Sequence, residues 1–159
     1  MANSIMTEYQ KHLSVECILF SEDGKLDEVK QCIERGADPC YVECDGYNAL
    51  LAAIIENNLD IAEYLLREHY FDKHDLVGKA LFRAKSQEAV QLLALYNPNL
   101  DVLNEIGLAP RDMYINDNEY DLLKAYDECG LPRPLKNSKM DWIASRCRDI
   151  KKWSLIKDV

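Results

Sequence analysis

The stretch Gly24-Lys25-Leu26-Asp27-Glu28-Val29-Lys30-Gln31-Cys32-Ile33-Glu34-Arg35-Gly36-Ala37-Asp38-Pro39 returns 33 residues later as Asn57-Asn58-Leu59-Asp60-Ile61-Ala62-Glu63-Tyr64-Leu65-Leu66-Arg67-Glu68-His69-Tyr70-Phe71-Asp72. Leu26 and Asp27 recur in place as Leu59 and Asp60, and the apolar pair Cys32-Ile33 falls on Leu65-Leu66. Self-similarity at a fixed spacing of about 20–50 residues marks a chain built from stacked units rather than one irregular core.

Working outward, the frame continues in both directions. Gly107-Leu108-Ala109-Pro110-Arg111-Asp112-Met113-Tyr114 leads into Asn118–Tyr126 and stops at Gly130, 61 residues beyond the block that starts Asp45-Gly46-Tyr47-Asn48-Ala49-Leu50. Between them, Ala80-Leu81-Phe82-Arg83-Ala84 matches Ala49–Ala53 at a shift of 31, and the helix Gln87–Leu95 arrives about three residues early. The third copy is therefore expected to be shortened. Each unit reads as a short helix, a tight turn, a second helix with apolar residues at i, i+3 and i+4, and a loop beginning near Gly-Ala-Asp. Such a unit cannot bury its apolar face alone. Val29, Cys32, Ile33, Ile61, Leu65, Leu66, Ala89, Val90, Leu93, Leu122, Leu123 and Tyr126 are accordingly expected to stack into a core. Tyr9–Phe20 is read as the first helix and N-terminal cap, with Glu8, Gln10, Lys11 and Glu16 towards water.

At these residues the chain resembles the ankyrin repeat family. Asp45-Gly46-x-Asn48-Ala49-Leu50-x-x-Ala53 stands where the family has Asp-Gly-x-Thr-Pro-Leu-His-x-Ala, and Gly36-Ala37-Asp38 matches the family's loop. The resemblance covers roughly residues 13–130. It implies an all-α solenoid of about four helix-loop-helix units with finger loops: residues 1–130 form the array and its N-terminal cap, and 131–159 a basic C-terminal capping helix. Departures are Ala49 for the helix-starting Pro, Leu51 and Phe82 for the His, and His69-Tyr70-Phe71 for Gly-Ala-Asp.

The charge balance narrows the partner. The 19 basic and 28 acidic residues leave a formal net charge of −9, which disfavours nucleic acid, because phosphate affinity comes from clustered Lys and Arg. The charge is also uneven: residues 131–159 carry +5 and residues 1–130 carry −14. In the tail, Met140, Ile143, Cys147, Ile150 and Ser154 fall on one helical stripe, an amphipathic basic helix. Ile143-x-x-x-Cys147-Arg148 has a faint likeness to the cullin-adaptor box that ends some ankyrin proteins. Membrane docking through Trp142, Trp153 and the basic face is opposed by the −14 body, and the longest apolar run, Ala49–Ile55, is too short to span a bilayer. The six cysteines are irregularly spaced and the N-terminus reads as no leader, so free thiols and a cytoplasmic setting are expected.

Catalytic motifs are missing: the sequence has no Gly-rich phosphate loop, no Gly-x-Ser-x-Gly, no His-Glu-x-x-His and no Cys-x-x-Cys. His69, Asp72, His74 and Asp75 read as a solvated loop rather than a metal or acid–base cluster, and Cys40 and Cys44 as two thiols in a turn. No enzyme, cofactor or metal is expected. The resemblance implies instead that partners bind the groove lined by the ends of the first helices and by the finger tips. At the 33-residue period the helix ends carry Glu22 and Asp23, Ile55 and Glu56, then Lys85, then Asn116 and Asp117; the fingers carry Glu43, Asp45 and Tyr47, then Asp75 and Leu76, then Glu105, Ile106 and Leu108. This mixture of carboxylates with aromatic and aliphatic side chains suits a basic protein partner, the charges steering and the apolar groups anchoring. The reading is a monomeric protein-binding module. Its alternatives are a dedicated inhibitor of a cationic enzyme or toxin, in the manner of immunity proteins, and an adaptor that recruits a ligase complex through the C-terminal helix.

Overall fold

The computed structural model describes residues 5–69 and 74–132. They form eight helices: α1 (Glu8–Glu22), α2 (Leu26–Glu34), α3 (Ala49–Ile55), α4 (Leu59–His69), α5 (His74–Leu81), α6 (Gln87–Ala94), α7 (Pro110–Asn116) and α8 (Tyr120–Glu128). An isolated antiparallel bridge, Val42 with Asn48, is the extended pairing among the described residues. The architecture is an all-α repeat fold. It divides into two compact units, one comprising residues up to His74 together with Arg83–Lys85, the other Asp75–Phe82 and the residues from Ser86 onward. The basic helix expected beyond Pro132 lies outside the described residues.

In the first unit, α1 starts where the sequence supplies both halves of a capping box. The Gln10 N–H donates to Thr7 Oγ1 (3.1 Å) and the Thr7 N–H donates to Gln10 Oε1 (3.0 Å). The helix runs two residues past the expected Phe20 and buries Leu13, Ser14, Cys17, Ile18 and Ser21, one helical stripe. The buried serines are satisfied locally: the Ser14 and Ser21 hydroxyls donate to the carbonyls of Gln10 and Cys17, each at 2.7 Å. Ser14 Oγ also accepts the Asp38 N–H (2.8 Å), tying the loop after α2 back to α1. The second repeat is tied to the first by Asn58, whose Nδ2 donates to the Ser21 and Glu22 carbonyls at 3.0 Å each. That side chain covers two of the orphan carbonyls at the end of α1. Leu50, Ile54, Ile61, Leu65 and Leu66 are fully buried, and each such side chain contributes about 2 kcal/mol by leaving water.

In the second unit, α5 carries Gly78 because a Cβ there would come within 2.1 Å of the Asn99 carbonyl oxygen. The Asn99 amide in turn donates to Asp75 Oδ1 (2.6 Å). Ser86 caps α6 by accepting the Ala89 N–H (3.1 Å). Tyr114 and Tyr126 meet edge to face with centroids 6.4 Å apart, and the Tyr114 hydroxyl donates to the Leu81 carbonyl at the end of α5. α8 stops with Gly130 at φ 67°, as the sequence predicts.

Of the twelve expected core residues, all are buried except Ile33, which is half-buried. The third repeat differs from its expected form. α4 and α5 are separated by residues 70–73 alone, whereas 35–48 separate α2 from α3 and 95–109 separate α6 from α7. Asp75 and Leu76, expected at a finger tip, sit in the first turn of α5, because that helix begins at His74. The match of Ala80–Ala84 to Ala49–Ala53 is likewise out of phase: Ala49 opens α3, but Ala80 lies in the last turn of α5 and Phe82 follows it.

Candidate partner-binding surface

In the first unit three of the expected carboxylates act on one side chain, that of Tyr47. The hairpin between α2 and α3 is closed by the Glu43 N–H donating to the Tyr47 carbonyl (2.8 Å) and the Gly46 N–H to the Glu43 carbonyl (2.9 Å), with Gly46 at φ 87°. At its tip Asp45 Oδ1 accepts the Tyr47 N–H (3.0 Å), a turn that aspartate forms readily. Tyr47 is thereby fixed with its ring half-buried. Burial raises its phenol above the ordinary value, and Glu22, Glu56 and Asp45 raise it further. Glu22 ends α1 and Glu56 caps α3. The three carboxylates come from two successive repeats and act on the same hydroxyl, so the field at this point is negative. Ile55 is half-buried beside Glu56, and Glu43 is half-buried in the hairpin. Asp23 differs from its neighbours: Lys25 Nζ lies 2.8 Å from its Oδ2 in an exposed ion pair that offsets its charge.

The second unit presents a different set. Its hairpin has the same closure, Asn104 N–H to the Leu108 carbonyl and Gly107 N–H to the Asn104 carbonyl, both 2.9 Å. Asn104 Oδ1 also accepts from the Ile106 and Leu108 amides at 3.2 and 2.9 Å. The tip exposes Glu105 and Ile106, and Leu103 is exposed beside them. Sequence reasoning missed Leu103, although its equivalence to the exposed Val42 at the 61-residue shift was available. Leu108 leaves the candidate set: it is 3% exposed, because a side chain with no polar end turns inward at the position where Tyr47 keeps a hydroxyl near water. Asn116 and Asp117 are exposed at the end of α7, joined by an Asn116 Nδ2 to Asp117 Oδ1 hydrogen bond of 2.8 Å. Asp75 is exposed on α5 and holds Asn99.

Two other features of this unit went unread in the sequence. Arg111 is 2% exposed and directs Nε and Nη2 at the two carboxylate oxygens of Asp127 (2.9 and 3.0 Å), a bidentate pair of the stronger kind. Asp112 beside it is also 2% exposed. Aligning the repeats would have found Arg111, which falls at the position of the fully buried Leu50, but not Asp112, whose counterpart Leu51 is half-buried.

No group of three or more His, Cys, Asp or Glu side chains among the described residues could hold a metal ion. His69 is half-buried with its ring edge-on to Tyr64 (5.6 Å), and burial lowers its pKa. Asp72 lies outside the described residues. Cys17, Cys32, Cys40, Cys44 and Cys129 are in no disulfide; burial, with a smaller effect from Cys32, pushes Cys17 up to about 12, far from the reactive thiolate range. A shallow depression of about 350 Å³ between Asn97–Asp101 and Leu131–Pro132 has Asp101 as its one charged lining residue. No helix among the described residues is long and apolar enough to cross a membrane.

Comparison with known proteins agrees with this geometry of paired helices and hairpins. No curated protein matches the chain. The family described as Ankyrin repeats (3 copies) matches residues 17–106, more than half of the sequence. With the eight helices of the described residues paired in repeats, the chain belongs to the ankyrin repeat family.

Proposed function

We propose that this chain binds a basic protein through the face built by Glu22, Asp45, Tyr47 and Glu56. As an ankyrin repeat protein it is a protein–protein interaction module; the proposal concerns where it binds and what chemistry it selects. The observation that carries the reading is the convergence of three carboxylates from two repeats on the Tyr47 hydroxyl. Exposed carboxylates in such an arrangement raise the encounter rate with a cationic surface and set its register, while a half-buried tyrosine offers a rigid anchor with a polar end. The −14 body extends the same field beyond the contact. The exposed Ile106, with Glu105, is a secondary contact on the second unit. In this reading the protein acts as a non-catalytic monomer in the cytoplasm.

The test is capture from native lysate at low and moderately raised salt, comparing wild type with Asp45→Lys/Glu56→Lys, with the captured proteins identified by mass spectrometry. The expected result is a basic protein whose recovery falls at least tenfold in the double variant and falls with salt for wild type. Circular dichroism should be unchanged, because both side chains are exposed. Equal recovery by both proteins would remove this face as the binding site. The acidic balance also favours the narrower reading of a dedicated inhibitor. That reading predicts that the captured protein is an enzyme or toxin whose activity is lost at one-to-one stoichiometry. The adaptor alternative rests on residues 131–159, which are outside the described residues from 133 onward.

A further inference from the structure

The group that neither the fold nor the binding face explains is Asp112. It stands at the third position of α7 and is 2% exposed. One of its oxygens accepts the backbone N–H of Ala109, the residue that precedes the helix, while Oδ2 is buried and has no hydrogen-bond partner among the described residues. The cation next to it is already engaged, since Arg111 aims Nε and Nη2 at the two oxygens of Asp127. On α8 and the α6–α7 connection, Asp127 and Asp101 act together with Asp112 on the Tyr126 phenol, and Arg111 opposes them. With Arg111 committed to Asp127, an ionised Asp112 is a negative charge out of reach of water without a bonded cation.

We propose that Asp112 makes the fourth repeat a pH-responsive element, in which protonation at the unpartnered Oδ2 removes a buried charge while the other oxygen keeps the Ala109 N–H. Ala109 follows Leu108, which closes the hairpin carrying Glu105 and Ile106, so the segment that tightens or loosens is the base of that finger. The inference does not depend on the partner. Burial raises this carboxyl from 3.8 to about 6, against the opposing pull of Arg111 and the Ala109 N–H. A folded state that holds the proton more tightly than the unfolded chain is stabilised below about pH 4 and loses that stabilisation as the pH rises through about 6.

The experiment is amide hydrogen exchange on the full chain between pH 5 and 7.5, corrected for intrinsic rates, comparing wild type with Asp112→Asn. The expected result is that the opening equilibrium of α7 and α8 rises about tenfold across this range in wild type relative to the variant, while α1 and α2 do not follow. A wild-type to variant ratio constant within about twofold would overturn the proposal. A direct reading on wild type alone covers the case in which the variant does not fold. In a carbon-13 titration of side-chain carboxyls, an Asp112 midpoint near 6 supports the proposal and one below about 4.5 refutes it.

Discussion

The second and fourth repeats start their first helices in one frame, 61 residues apart, and solve the same problem with different chemistry. Both approach through a hairpin closed by the same two backbone hydrogen bonds, Glu43 to Tyr47 and Asn104 to Leu108, with Gly46 and Gly107 at positive φ. After that they diverge. In the second repeat Asn48 caps α3 by accepting the Leu51 N–H (2.9 Å), and the helix is apolar nearly throughout, with Leu50 fully buried. In the fourth, Ala109 gives no side-chain cap, Pro110 opens α7, and the position of Leu50 holds Arg111, buried and paired to Asp127. The backbone frame therefore constrains the repeat more than the side chain in any one slot does. A slot filled by a hydrophobe is satisfied by packing, and the same slot filled by a guanidinium is satisfied only if a second residue answers it.

The strongest way to break this comparison is to empty the slot in each repeat. Leu50→Ala removes a fully buried side chain from a packed helix and should lower the urea-unfolding free energy by about 3 kcal/mol through lost transfer and a residual cavity. Arg111→Ala empties the equivalent slot and strips Asp127 of its partner. Because Asp127 is about one third exposed, water recovers part of that loss, and the expected effect is smaller, about 2 kcal/mol. An Arg111→Ala loss larger than that of Leu50→Ala would mean that the ion pair, not the frame, organises the fourth repeat.

Arg111→Leu sharpens the point, since it writes the second repeat's residue into the fourth. If the slot is interchangeable, leucine restores packing, Asp127 hydrates, and the loss measured by the same urea titration stays under about 1 kcal/mol. A loss equal to that of Arg111→Ala would show that the slot in the fourth repeat has been shaped around the guanidinium.

This comparison also explains what the sequence made legible. Repeats that keep their finger are found by period alone, because Leu26 and Leu59, or Gly46 and Gly107, fall in the same place and the apolar stripe follows. The third repeat misleads because α5 already runs from His74 to Leu81, so Ala80–Ala84 imitates Ala49–Ala53 in composition only. At the candidate surface, stacking the period picked out Glu22, Asp45 and Glu56, whose charges act together on the Tyr47 phenol. It misplaced Leu108, because the period identifies a position but not whether the side chain there has a polar end to keep outside. Arg111 and Asp112 were not singled out, although Arg111 stands at the position of the fully buried Leu50.

The smallest difference is at the helix starts, and it tests whether two unlike devices are equivalent. Asn48→Ala deletes the hydrogen bond to Leu51 and leaves that N–H unpaired in a half-buried setting, a loss of about 1 kcal/mol. Pro110→Ala leaves the folded helix start intact, because the first helical N–H has no partner in any helix, and acts by loosening the unfolded chain, a loss of about 0.5 kcal/mol. If both helix starts form late in folding, each loss speeds unfolding and leaves the folding rate nearly unchanged, because the segment around Pro110 is then as free at the barrier as in the unfolded chain. If Pro110→Ala instead exceeds Asn48→Ala in the equilibrium measurement, the proline does more than preset a dihedral. Its ring, buried with Leu108 and Ala109, would then belong to the packing that holds the fourth finger to its helix.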